Sequence, residues 1–581
     1  FQAEDGIRDF CLSRGLGDVY KRQLFGAFIL SVLSTASERP NILFISVDDL
    51  RPELGCYGNT AIQSPNIDRL ADSGIVFEEA YCQVPVCGAT RASLMTGLYP
   101  TENRFVTYYT TAQTDAAGIQ DIPSWLKEFG YTTISNGKIY HDRNDNSASW
   151  DDVFRSKDFK IYHNPENIAL PDSEQPAFEG ADVGDLDYAG GPVMQKTIED
   201  LRRGKEAGTP FFIAAGFTKP HLPFNAPKKY WDLYDRESLE LADNPLPPEG
   251  APREAIHQWG ELRNMYGGVP EQGAVSDDYA RTLIHGYYAC VSYTDAMVGE
   301  LLDELDRLEL REDTIVILWG DHGWQLGEHS LWCKHALFKT SLNAPLIISA
   351  PGYEAGQRST SLVEFVDIYP TLCELAGVES PAHLQGKSLV PILEDSSTLI
   401  KDAAFSRYHS GDAVKMEGYH YAKWENGAQM LYDHSRDPDE NLNVANNPEY
   451  AEVIDRMSRR LKEHHDKILA LEPAIRAAAG VVGDNSPPRW QSRTFQQKGA
   501  VVGQALEIYV NWRASDDDGD RLRYSMVSGP SWIKLANKEY GRFDGTPPAD
   551  YLGENVVIVN VSDGFNPPVQ ARMELNVEPA P

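Results

Sequence analysis

A doubly wound α/β domain, continued by a smaller α/β subdomain and then a β-sandwich, is the architecture predicted for this 581-residue chain. Three observations predict it. Four β-rich apolar runs each stop at a polar cluster, helical stretches lie between them, and the text after residue 488 changes to short alternating segments.

Residues 41–47 (NILFISV) run into Asp48 and Asp49, and residues 131–135 (YTTIS) lead to Lys138 and His141. Residues 211–215 (FFIAA) lead to Lys219 and His221, and residues 314–319 (TIVILW) run into Asp321 and His322. Continuous apolar runs of this length suit strands covered on both faces, as in a parallel sheet. Helices are expected over 67–73, 122–129 and 279–308, the last with apolar spacing at Leu283, Tyr287, Cys290, Met297, Leu301 and Leu305. Alternating strands and helices give a doubly wound sheet, whose ligands bind beyond the carboxyl ends of the strands. All four polar clusters fall there.

The length allows three or four domains. The first unit spans 37–360, and a second, mixed unit spans 361–471 and ends in a polar helix over 450–471. Residues 472–488, rich in Ala, Gly and Pro, read as a linker. Strands at 505–511, 522–526 and 555–561, separated by Gly/Pro/Asp turns, make 489–581 a β-sandwich. Trp512 and Trp532 read as its core rather than as a sugar platform. Upstream, residues 24–33 (LFGAFILSVL) followed by Ser34-Thr35-Ala36 read as a secretory signal peptide, too short to span a bilayer. A buried core helix is the other reading of that run. Residues 3–23 resemble translated sequencing-adapter text and are left out of the fold argument, so 1–36 carries no domain. No other segment approaches membrane length. The mature chain is expected to be exported, to the periplasm, the cell surface or the medium.

A net charge of −33 repels phosphate backbones, so nucleic-acid binding is not expected. Any anionic substrate must instead meet a local basic pocket. With 42% hydrophobic and 10% aromatic residues the chain can bury a large core, which excludes global disorder. Seven cysteines without a C-x-x-C pair exclude a disulfide scaffold or zinc ribbon, and pairing among Cys56, Cys82, Cys290, Cys333 and Cys373 stays open.

Asp48, Asp49, Asp321 and His322 bring three carboxylates and an imidazole to neighbouring strand ends. Crowded carboxylates repel unless a cation holds them, and mostly oxygen ligands favour Ca²⁺ or Mg²⁺ over zinc. Cys87, in Cys87-Gly88-Ala89-Thr90-Arg91, lies near the N-terminus of a short helix over 92–95, where backbone N–H groups favour an anion. Arg91 offers a forked guanidinium for an oxyanion.

Those residues, in order, carry a resemblance. Arg39-Pro40-Asn41, Asp48-Asp49, Gly55-Cys56-Tyr57-Gly58, Ser64-Pro65-Asn66-Ile67-Asp68 and Cys-Gly-Ala-Thr-Arg resemble the type I sulfatases of the alkaline phosphatase superfamily. The fit continues at Gly137-Lys138, Lys219-Pro220-His221-Leu222-Pro223-Phe224, Asp321 to His329, Lys334, Asp437-Pro438 and Asn441-Leu442, and is best within the iduronate-2-sulfatase branch. The resemblance covers about residues 39–471. It implies an alkaline-phosphatase-like fold and sulfate ester hydrolysis on a sulfated polysaccharide or oligosaccharide, with a 2-O-sulfated uronate favoured.

It also implies that Cys87 is oxidised to formylglycine by a formylglycine-generating enzyme. Asp48, Asp49, Asp321, His322 and the modified Cys87 are then calcium ligands, with magnesium as the other candidate. Arg91 and Lys138 orient the hydrate and the sulfate, Lys334 binds sulfate, His221 acts as the general acid and His141 helps remove a proton in the second step. Trp324 is expected to contact the sugar. Two other readings stay open: a phosphodiester or phosphonate monoester hydrolase of the same superfamily, and an inactive carbohydrate-binding homologue. Ala89-Thr90, where many family members have Pro-Ser, and Leu98 and Gly320 depart from the family pattern without removing a reactive group. The tail resembles cadherin-like or Ig-like domains of bacterial surface enzymes, and its acidic turn at 516–520 (DDDGD) is either a Ca²⁺ site or an unliganded turn.

Overall fold

The computed structural model describes residues 39–157, 160–478, 486–516, 522–538, 540–563 and 566–580. The expected signal segment, the junction at 479–485 and most of the acidic turn lie outside these residues.

The core is an eight-stranded sheet. Its strands in chain order are β1 (Asn41–Val47), β2 (Ile75–Phe77), β3 (Thr132–Gly137), β4 (Asp152–Phe154), β5 (Phe211–Phe217), β6 (Thr314–Gly320), β7 (Leu346–Ser349) and β8 (Gln357–Ser359). Across the sheet they stand β8-β2-β7-β6-β1-β5-β3-β4. The four strands read from the sequence are adjacent at its centre and parallel. The doubly wound sheet is not wholly parallel, because β7 runs antiparallel to both β6 and β2. Strands of three or four residues such as β2, β4, β7 and β8 are too short to show a period in the sequence.

Five helices matter for the site: α1 (Pro65–Asp72), α2 (Cys87–Thr96), α3 (Gly190–Ala207), α4 (Asp277–Arg307) and α5 (Ala451–Ala478). Helix α4 starts at Ser276, whose hydroxyl accepts from the Tyr279 N–H, and carries Asp277 and Asp278 in its first turn and Arg307 in its last. Its apolar residues Leu283, Tyr287, Cys290, Met297, Leu301 and Leu305 are all buried. Every residue of α2 is buried.

The second unit is a four-stranded antiparallel meander running from Ala403–Tyr408 to Gln429–Asp433, with α5 packed on it. Helix α5 does not end near residue 471. It continues through Pro473 to Ala478, because Ile475 is buried and the Glu472 carboxylate meets Arg104 Nη1 at 2.6 Å. The C-terminal strands form a four-stranded and a three-stranded sheet around their own core of Trp490, Phe495, Ile508, Tyr524, Phe543, Val557 and Met573. Trp512 is not in that core. It sits in a 3₁₀ turn at Asn511–Arg513, where strand alternation does not govern burial, and is 57% exposed.

His383 ties the second unit's approach to α2, with its Nε2 donating to the Thr96 carbonyl at 3.2 Å. Burial pushes this imidazole down to about 4 from an ordinary 6.5. The folded protein keeps it neutral while the unfolded chain takes up a proton below about 6.5, so its contribution is complete above that pH and is lost as pH falls toward 4. Denaturant unfolding followed from neutral pH downward is expected to show a loss on the order of 3 kcal/mol from this group. His383→Gln, which keeps a donor without the titration, is expected to flatten that slope.

Candidate active site

Parallel register brings the strand ends to one edge: Val47 pairs with Phe217 and with Gly320, and Gly137 pairs with Gly216. Each chain then turns outward and delivers Asp48 and Asp49, Lys138, His221, or Asp321 and His322. Gly137 makes the turn that presents Lys138 at φ 77, and a Cβ there would meet the Gly216 carbonyl at 2.1 Å.

The three carboxylates are fully buried and tightly held. Asp321 Oδ1 accepts from the Asp49 backbone N–H at 2.9 Å, and the Tyr287 hydroxyl on α4 donates to the Asp49 carbonyl at 2.8 Å. Arg91 donates from Nε to Asp321 Oδ2 at 2.9 Å and from Nη2 to Asp48 Oδ1 at 3.0 Å. Its Nη1 donates to Ser46 Oγ and to the carbonyls of Lys138 and Ile139. Lys138 Nζ lies 2.5 Å from Asp48 Oδ2. Lys334 Nζ donates to Asp49 Oδ1 at 2.9 Å and to Glu261 Oε1 at 2.9 Å.

Arg91 lies wholly buried beneath the cluster, each of its nitrogens donates to protein, and it holds Asp48 and Asp321 in place beside Cys87. One expectation is corrected here. Trp324 was expected to touch the sugar, but it is only 1% exposed and lies beneath Lys334, whose Nζ sits 4.9 Å from the ring centre.

Cys87 opens α2 and points into this cluster, with Sγ 3.3 Å from His322 Nε2 and 3.8 Å from Asp49 Oδ1. Burial, together with Asp48, pushes its thiol well above the ordinary value, so unmodified Cys87 is not a thiolate. The helix begins at Cys87 itself rather than at residue 92. Thr90, one of the departures noted above, donates its hydroxyl to the Asp321 carbonyl at 3.1 Å and so braces the cluster. The described cysteines, including Cys56, Cys82, Cys290, Cys333 and Cys373, are free.

These side chains form two groups that could hold a metal ion. Ligand atoms of Asp48, Asp49, Cys87 and His221 lie within 4.8 Å of one another, as do those of Cys87, Asp321 and His322. Burial pushes Asp48 up, but Lys138 and Arg91 outweigh it and hold the group well below the usual carboxylate range. At Asp49 burial wins even with Lys334 in contact, and its pKa is raised. That under-compensated carboxylate is where added positive charge stabilises most.

At the mouth, His221 Nε2 meets Glu261 Oε1 at 3.0 Å and Asp49 Oδ2 at 3.9 Å. Burial alone would lower the His221 pKa, but Asp49 and Glu261 outweigh it and raise it above the ordinary value. His141 is pushed down to about 4 by burial and then by Lys138, so it is neutral at neutral pH. Glu261 was not among the expected residues. It comes from a one-turn helix at Gly260–Arg263 in a loop without apolar period, and only its pairing with Lys334 and His221 reveals it. Among the described residues, buried atoms Glu261 Oε2, His141 Nδ1 and His257 Nε2 have no hydrogen-bond partner, which marks the mouth as lined for a polar ligand.

The chain belongs to the sulfatase family, whose model matches residues 40–378, and a second model, N-sulphoglucosamine sulphohydrolase, C-terminal, matches 327–467. Iduronate 2-sulfatase of Homo sapiens is 34% identical over 415 residues, covering 64% of this chain and 75% of its own. Among solved structures, a 2-O GAG sulfatase aligns with TM-score 0.61 at 22% identity, over 78% of this chain and 97% of that one. A phosphonate monoester hydrolase from Silicibacter pomeroyi aligns with TM-score 0.63 at 21% identity, over 74% and 96%. Those two likenesses concern the fold alone. The chain is an alkaline-phosphatase-like sulfuric ester hydrolase.

Arg91→Ala removes the shared partner of two buried carboxylates and is expected to destabilise the protein by about 3–5 kcal/mol, measured by denaturant unfolding.

Proposed function

We propose that the protein is an exported sulfatase that removes sulfate from a sulfated polysaccharide or its fragments, with a 2-O-sulfated uronate as the favoured sugar. The observation that carries this reading is the position of Cys87: first residue of a fully buried helix, its sulfur among three carboxylates and an imidazole. No described helix is long and apolar enough to cross a membrane.

Asp48, Asp49, Asp321, His322 and the matured residue 87 would hold a calcium ion, or magnesium, which supplies positive charge against the sulfate oxygens. Oxidised by a formylglycine-generating enzyme, residue 87 supplies a hydrated aldehyde with two hydroxyls, one to take up the sulfuryl group and one through which sulfate is released. The protein's own groups do the rest. Lys138 and Lys334 neutralise the bound ester and the charge that builds in the transition state. His221, whose pKa Asp49 and Glu261 raise, gives its proton to the departing sugar oxygen. His141, neutral, accepts the proton that must leave before sulfate is expelled.

The similarity in fold to a phosphonate monoester hydrolase supports a second reading, cleavage of phosphodiesters or phosphonate monoesters. Turnover of 4-nitrophenyl sulfate and of bis(4-nitrophenyl) phosphate by enzyme co-expressed with a formylglycine-generating enzyme separates the two. The sulfate ester is expected to be the better substrate, and a large preference for the phosphodiester would overturn the proposal. Cys87→Ala is expected to lower sulfate release by about 10³-fold or more while unfolding as the parent does. Saccharide binding without sulfate release by fully converted enzyme would instead identify an inactive homologue.

A further inference from the structure

Beyond His141 the mouth is continued by two tyrosines that no step above uses. Tyr108 is 45% exposed and Tyr109 is 64% exposed. Their ring centres lie 3.8 Å apart, and Tyr108 meets the His141 ring edge-on at 6.1 Å. The pair therefore forms one uncharged aromatic surface beginning where the proton-accepting imidazole ends.

The segment that carries them is anchored on every side. The Tyr108 carbonyl lies so close to Gly88 that a Cβ there would sit 2.2 Å from it, which fastens the loop to the first turn of the Cys87 helix. The Phe105 N–H donates to Asp115 Oδ2 at 2.9 Å, and Arg104 Nη1 pairs with Glu472 at 2.6 Å. Asn103 Nδ2 donates to the Asp563 carbonyl of the C-terminal unit at 2.5 Å. The Tyr108 hydroxyl, hydrogen-bonded to Tyr109 and near Tyr540 of that same unit, is pushed up to about 12. Two large exposed rings on a loop fixed to both the nucleophile helix and the C-terminal unit form a pre-organised surface.

Charge selects what such a surface takes. The substrate is an anion and the chain carries a net charge of −33, so outside the cationic pocket an uncharged contact adds affinity without opposing that field. A pyranose ring offers a face of C–H groups that stacks on an aromatic face, with hydroxyls at its edge within reach of phenol oxygens. We propose that Tyr108 and Tyr109 form a subsite that stacks the sugar ring adjoining the sulfated one, so that the preferred substrate is an oligosaccharide rather than a sulfated monosaccharide. This rests on the sulfatase reading given above.

The test compares kcat/KM on three kinds of substrate: 4-nitrophenyl sulfate, a sulfated monosaccharide, and oligosaccharides ending in that same sugar. The sugars come from a panel of glycosaminoglycan and algal-polysaccharide fragments. Wild-type enzyme is expected to prefer the oligosaccharide over the monosaccharide. Tyr109→Ala is expected to reduce that preference, and the oligosaccharide-to-aryl-sulfate ratio, by about tenfold, and Tyr109→Phe is expected to restore both. Equal turnover of monosaccharide and oligosaccharide, or a Tyr109→Ala ratio equal to the parent's, overturns the proposal. Hydrolysis of aryl sulfate with no saccharide of the panel accepted overturns it too and leaves the sulfatase reading standing. Hydrolysis of no sulfate ester at all defeats that reading itself.

Discussion

Mutual repulsion among three buried carboxylates is the constraint on which the rest of this structure depends. Asp48, Asp49 and Asp321 have no access to water, and ions removed from water must be compensated within the fold. Arg91 serves two of them at once, Lys138 serves Asp48, and Lys334 serves Asp49. The compensation is uneven: Asp48 is held firmly ionised while Asp49 is lifted by burial. The uneven point faces Cys87 and His322, so the residual negative charge lies where a cation and the matured residue 87 would meet.

The sheet turns this electrostatic problem into a geometric one. Four parallel strands in register end at one edge, and each needs only the next one to four residues to reach the same small volume. Helix α2 brings Cys87 to the same edge from outside the sheet, and Gly88 lets the Tyr108 backbone lie on its first turn. Deep charges are thus fixed by backbone, while the mouth is built from side chains in different electrostatic settings. His221 sits between two carboxylates that raise its pKa, while burial and then Lys138 lower that of His141. One site thereby pushes two imidazoles in opposite directions.

Much of this is legible in the amino-acid text, for stated physical reasons. Strands β1, β3, β5 and β6 are buried on both faces and so read as apolar runs, and the residues after each run are the site. Helix α4 is legible from its apolar spacing. Strand β7, which breaks the parallel order, is four residues long and has no period to read. Glu261 is illegible because its place depends on Lys334 and His221 folding over it from distant strand ends. Arg91 and Trp324 show the reverse: the motif names them, but burial decides what they touch, Arg91 the carboxylates and Trp324 the Lys334 ammonium. Residue 473 is similar, since proline signals a helix end while the Arg104–Glu472 pair holds two further turns.

The most direct test of the account is to measure sulfate released per second against the fraction of residue 87 converted to aldehyde. Peptide mass analysis gives the fraction across preparations made with graded amounts of the maturing enzyme. The account predicts a straight line through the origin. Full turnover in material whose Cys87 is an unmodified thiol would contradict it.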